Sequence, residues 1–207
     1  MSLRWRGTLG VLVQVGAVRA AFWQPRWFWA AMTTALVSSG VLTAPGRPRP
    51  RLRADPGWIA GGVMAGLCAY LVTFGTGWLL NRSSPGRRWL SQVRRCTDSR
   101  PRALRALLVV PAAVGEELFW REAMLGDGSQ GLLQSGPKVA VYAAVQLASG
   151  NPAVVGGGVL LGLVTTCLRV GSGSLTPALL AHLVFSEMTL AWPGLPGPHP
   201  CHHRAVT

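Results

Sequence analysis

Residues 58–80 run for 23 positions without a charged side chain. As an α-helix that stretch is about 34 Å long, enough to cross the roughly 30 Å hydrocarbon core of a bilayer with some tilt. Inside a bilayer only helices and closed barrels satisfy every backbone polar group. The apolar runs of this chain lack the alternation of period two that a barrel strand requires. The expected fold is therefore all-α, a polytopic transmembrane bundle of about five to seven helices.

Composition excludes the alternatives. Hydrophobic residues make up 49% of the chain and charged residues 13%, with 20 basic residues against seven acidic ones. Disordered chains are poor in apolar residues, and four scattered cysteines are too few for a disulfide scaffold. So little charge would not cover a soluble domain's surface. The remaining apolar runs are 7–23, broken by Gln14 and Arg19, then 27–42, 103–125, 139–147, 154–168 and 175–191. Residues 7–23 mimic a signal peptide, but no small-residue cleavage site follows, so they read as an interfacial helix or a weak first span. Trp23, Trp27 and Trp29 suit a membrane–water boundary. Between the runs, 45–56 is a Pro/Arg loop, 81–102 a basic loop, 126–137 a Gly/Ser/Gln turn region and 169–174 a tight Gly/Ser turn. This divides the chain into N-terminal membrane helices with Arg-rich loops (1–102), a helical core (103–191) and a C-terminal tail (192–207).

The net charge of +13 sits in blocks between apolar runs rather than on one face. Multispanning membrane proteins distribute charge this way, so anionic lipid is the expected partner of the Arg-rich loops and nucleic acid is not. If 27–42 and 58–80 both cross, the N-terminus and the long Arg loop share a side. That side carries 12 arginines against four in the intervening loop, which makes it cytoplasmic.

Three of the seven acidic residues, Glu116, Glu117 and Glu122, lie within seven positions of an otherwise apolar run. Ionisable groups inside a membrane are costly and functional by default. Glu116 follows Arg105 by 11 residues, about 16 Å of helix, which puts it near mid-membrane. Glu117 and Arg121 are four apart and face one another. Glu116 lies about 100° round the helix, outside that pair. A carboxylate left free in apolar surroundings is suited to act as a general base; the plainer reading is one structural salt-bridge network. His182, with Ser186 four residues on, sits within the last apolar run, and Tyr142 and Gln146 share the same spacing upstream. A lone histidine there is more often a hydrogen-bonded packing residue. Gly158 and Gly162 let helices approach closely, which either builds a cavity or simply packs.

The run Glu116-Glu117-Leu118-Phe119-Trp120-Arg121 resembles the EExxxR signature of the CPBP family of intramembrane glutamic proteases, which includes CAAX prenyl endopeptidases and bacterial Abi proteins. Gly162 through Gly171-Ser172-Gly173-Ser174-Leu175-Thr176-Pro177 to His182 is similar to that family's last two helices. The similarity covers roughly 103–191. It implies that Glu116 activates water, that Arg121 is the motif arginine and that His182 helps stabilise an oxyanion, with Glu117, Gln146 and Ser186 completing the site. Two positions depart from the family. Gln146 stands where FxxxH has histidine, and Ser186 stands where the last motif has Asn or Asp. Both keep hydrogen bonding, but an amide cannot carry a proton as imidazole does. The implied function is an endopeptidase acting on a membrane protein or lipid-proximal peptide; the alternative is a degenerate relative serving as a membrane adaptor or immunity-like protein. A proton-relay transporter would predict an internal repeat, and the sequence has none. The implied location is a bacterial inner membrane, and the EELFWR wording resembles bacterial members found beside C-terminal sorting systems.

No cofactor is expected. Zinc is the rival, since Glu116, Glu117 and His182 are ligand types, but one intramembrane histidine is a poor nitrogen supply. His199, Cys201, His202 and His203 are ligand types without finger spacing. Cys68 and Cys167 read as small packing residues. Cys96, beside Arg94 and Arg95, is either an activated thiol or an inert loop thiol.

Overall fold

The computed structural model describes residues 3–45, 50–126 and 131–192. They form α1 (Leu3–Trp23), α2 (Phe28–Thr43), α3 (Pro56–Leu80), α4 (Ser84–Thr97), α5 (Arg102–Glu117), α6 (Leu132–Gln146), α7 (Pro152–Ser172) and α8 (Leu175–Ser186), with no strand among the described residues. α5 continues into a π-helical segment, Leu118–Met124, and α8 into another, Glu187–Ala191. Seven of these helices lie on the apolar runs. α3 and α7 are long and apolar enough to cross a membrane, and α8 with its extension is a shorter apolar helix.

The eighth helix corrects the sequence reading. Most of the basic segment 81–102 is α4, not loop. Ser83 caps it by accepting from the Gly86 N–H at 3.1 Å, and Pro85 sits in its first turn, where a missing N–H costs nothing. Leu90, Val93, Cys96 and Thr97 recur at helical spacing and are buried, while Arg87, Arg88 and Arg95 are exposed. The charge had masked an amphipathic period. Two further boundaries move. Arg169 is a buried residue in the last turn of α7 rather than part of a loop; the chain breaks at Gly173, whose φ of 64° only glycine adopts freely. α6 begins at Leu132 and carries Pro137 inside it.

Close packing is built on small residues. A methyl on Gly62 or Gly66 of α3 would strike the carbonyl oxygens of Pro177 and Ala181 in α8 at 2.5 and 2.6 Å. One on Gly40 of α2 would strike the carbonyl oxygen of Gly115 in α5 at 2.8 Å. α6 and α7 interlock differently: Gly158 receives the Gln146 side chain and Gly162 receives the Tyr142 ring. The two spacings of four noted in the sequence are thus the two halves of one contact.

Other expectations need adjusting. Trp23 and Trp27 are exposed and carry Arg19 and Arg26 over their rings, as boundary residues do. Trp29 is buried instead, its indole N–H donating to the Thr97 carbonyl at 2.9 Å and tying α2 to the end of α4. Cys68 and Cys167 are exposed on their helices and do not pack the core. Cys96 is buried beneath α1, its Sγ 3.7 Å from the Ala21 carbonyl oxygen; burial pushes its thiol up to about 11, so proximity to arginine does not activate it. His199, Cys201, His202 and His203 lie outside the described residues.

Candidate active site

Glu116 and Glu117 end α5 where the helix widens into its π-helical segment. Such segments are rare and often mark functional sites. The two carboxylates face different partners. Glu117 is fully buried. Its Oε1 lies 2.8 Å from His182 Nδ1, and its Oε2 lies 3.6 Å from Arg121 Nε. The Glu117–Arg121 pairing expected from spacing is therefore present, with His182 added to it. Arg121 Nε donates to Thr165 Oγ1 at 2.8 Å, a second guanidinium nitrogen reaches the same oxygen, and the Thr165 hydroxyl donates in turn to the Leu161 carbonyl. The guanidinium also sits 4.7 Å from the centre of the Tyr142 ring. A buried charge needs such partners, because an uncompensated one is strongly destabilising.

Glu116 is outside the Glu117–Arg121 pair, as its place on the helix predicts. Its Oε2 is 3.8 Å from His182 Nε2, and Tyr142 is within hydrogen-bonding reach. His182 thus stands between the carboxylates, one on each ring nitrogen. With Nδ1–H donated to Glu117, the ring is fixed in orientation and Nε2 faces Glu116.

A cavity of about 560 Å³ opens beside this cluster. Glu116, Tyr142, Gln146, His182 and Ser186 line it as polar groups, while most of its wall is apolar and includes Leu90 and Val93 from α4. The structure therefore brings Glu116, Gln146, His182 and Ser186 to one space, with Glu117 and Arg121 behind them. Glu122 is excluded: it pairs with Arg169 at 3.0 Å, and Arg169 also donates to the Gly126 carbonyl. Sequence reasoning missed Thr165, the hydroxyl that receives Arg121, and gave Gln14 no role beyond interrupting an apolar run. Gln14 is buried, and its Oε1 accepts the Trp120 indole N–H at 2.8 Å. A polar residue inside an apolar helix was the signal.

Residues 99–188 match the family model of type II CAAX prenyl endopeptidase Rce1-like proteins. No curated protein and no solved structure matches the chain. The matched segment covers less than half of the chain, yet it contains Glu116, Glu117, Arg121, Gln146, His182 and Ser186. The resemblance read from EExxxR is borne out there. The matched family is one of CAAX prenyl endopeptidases, and α3 and α7 are long and apolar enough to cross a membrane.

Proposed function

We propose that the chain is an intramembrane endopeptidase that hydrolyses a peptide bond with a water activated by Glu116. The observation that carries this reading is the division of labour between adjacent carboxylates. Glu117 is spent on Arg121 and His182, while Glu116 faces a large cavity. Glu116 takes a proton from water as the water oxygen attacks the scissile carbonyl carbon. His182, backed by Glu117 and protonated on Nε2, donates to the developing oxyanion, with Gln146 or Ser186 as further donors. As the C–N bond breaks, the proton held by Glu116 goes to the leaving amine, and the carboxylate is restored. The low dielectric of the bundle strengthens each of these contacts.

The reading is metal-independent. His182 Nδ1 is committed to Glu117 and Glu117 to Arg121, and no three His, Cys, Asp or Glu side chains among the described residues are grouped to hold an ion. Those commitments support a reading without zinc, which needs free donors. The largely apolar cavity supports a membrane-protein or lipid-proximal peptide substrate, and the exposed arginines of α4 support contact with anionic lipid. The arginine distribution and the bacterial relatives suggested by the EELFWR wording support a bacterial inner membrane.

One observation favours the second reading, a non-cutting adaptor: Gln146 occupies the cavity where the family's FxxxH pattern has histidine. Mapping protein termini in native-host membranes separates the two. With equal amounts of each protein, termini present with wild type and absent with Glu116→Gln support proteolysis. Identical termini, with the variant still sustaining the host phenotype, support the adaptor.

A further inference from the structure

The matched segment starts at residue 99, yet α1 reaches the site. Gln14 is only 3% exposed. Its orientation is fixed, because an indole N–H can donate only to the amide oxygen. The amide nitrogen is left buried with no hydrogen-bond partner. Gln14, Glu116 and Gln146 line a second, small space of about 10 Å³, together with Ala17, Ala35 and Val145. Glu116 and Gln146 also line the large cavity. The same carboxylate and amide thus form the partition between the substrate-sized space and a cell the size of one water molecule.

We infer that this cell holds one ordered water, and that Gln14 is a positioning residue acting on Glu116 through it. A buried water needs about that much room and two to four polar partners. Here the Gln14 amide donates to it, and it donates to the Glu116 carboxylate. The Gln146 amide supplies a third partner. An unpaired buried N–H is costly, and the water removes that cost. The carboxylate is then held from behind, on the side away from the cavity, so its other oxygen keeps one direction toward the attacking water. The role as a positioning residue rests on the proteolytic reading of the site; the presence of the water does not.

Two measurements test these parts separately. The first uses the full chain in lipid bilayers with nitrogen-15 glutamine, read by water-edited solid-state NMR. The Gln14 side-chain signal is identified by its disappearance in Gln14→Glu, or in Gln14→Met if the first variant does not fold. The expected result is rapid polarisation transfer from water to Gln14 despite its burial. Transfer as slow as to dry core positions overturns the ordered water. The second uses a peptide spanning a terminus that depends on Glu116. Gln14→Glu keeps the acceptor for Trp120 but replaces the N–H donor with an acceptor. The expected result is a kcat lower by roughly ten- to hundredfold at unchanged KM, in protein that stays folded at the assay temperature although the buried carboxyl lowers its melting temperature. An unchanged kcat overturns the positioning role alone. If no terminus depends on Glu116, the proteolytic reading falls and takes the positioning role with it, while the NMR result still decides the water.

Discussion

Adding one methyl to α7 should have opposite consequences five residues apart. At Gly162 a Cβ would sit 2.5 Å from Tyr142 Cδ1 and 2.7 Å from Cε1. Ordinary contact begins near 3.4 Å, so the ring or the whole of α6 must retreat by about 1 Å. The Tyr142 ring cannot swing away freely, since it is buried between Arg121 and Trp120. Overpacking of this kind costs about 1–3 kcal/mol, against which alanine returns about 0.5–1 kcal/mol by stiffening a helix interior. At Gly157 nothing lies within 4 Å of the added atom, so only the gain remains. The two variants should differ by about 1–3 kcal/mol, or roughly 2–12 °C in melting temperature for a chain of this size. Nanodisc-embedded protein followed by differential scanning fluorimetry measures this. Gly162→Ala should melt below Gly157→Ala, and it should also lose cleavage, because a displacement near 1 Å can cost about a hundredfold in rate. Equal melting temperatures would refute the claim that Gly162 is the seat of the Tyr142 ring.

Three further outcomes follow from the same geometry. Glu117→Gln preserves shape but removes the charge behind His182 and leaves Arg121 buried without its anion, so cleavage should fall by about 10²–10⁴-fold and stability by about 3–5 kcal/mol; near-normal cleavage would show that His182 needs no carboxylate. Arg121→Met leaves Glu117 buried without its cation and should cost about 3–5 kcal/mol, read as a melting temperature well below wild type; a stable variant would contradict the buried network. Cys96, pushed up from 9.0 to about 11 by burial, should resist a maleimide at pH 8 until the protein is unfolded. The same raised value means that its contribution to stability is fully present below pH 9 and is lost as pH rises toward 11; native-state labelling at pH 8 would contradict both.

Much of the site was legible because membrane helices make polar residues conspicuous. Glu116, Glu117, Arg121 and His182 stood out in apolar runs, and spacing assigned Glu117 to Arg121 and left Glu116 apart. The pairs Gly158/Gly162 and Tyr142/Gln146 were visible as spacings, but only the packed helices show that they fit one another. What sequence reasoning lost has a common cause. In α4, high charge hid a regular apolar stripe. Arg169 looked like a loop residue because Gly171 and Gly173 follow it, whereas Glu122 and the Gly126 carbonyl hold it inside. Thr165 and Gln14 depend on partners 44 and 106 residues away, and local periodicity carries no information about such pairings.

The central claim is that Glu116 activates water for peptide hydrolysis without metal. Its most direct test uses the purified full chain in liposomes and a peptide spanning a terminus found only with wild type. Wild type should cut that peptide equally well with and without a chelator, and Glu116→Gln should be slower by about 10²–10⁴-fold while retaining the wild-type melting temperature. Undiminished cleavage by a folded Glu116→Gln, or cleavage abolished by the chelator, would contradict the account.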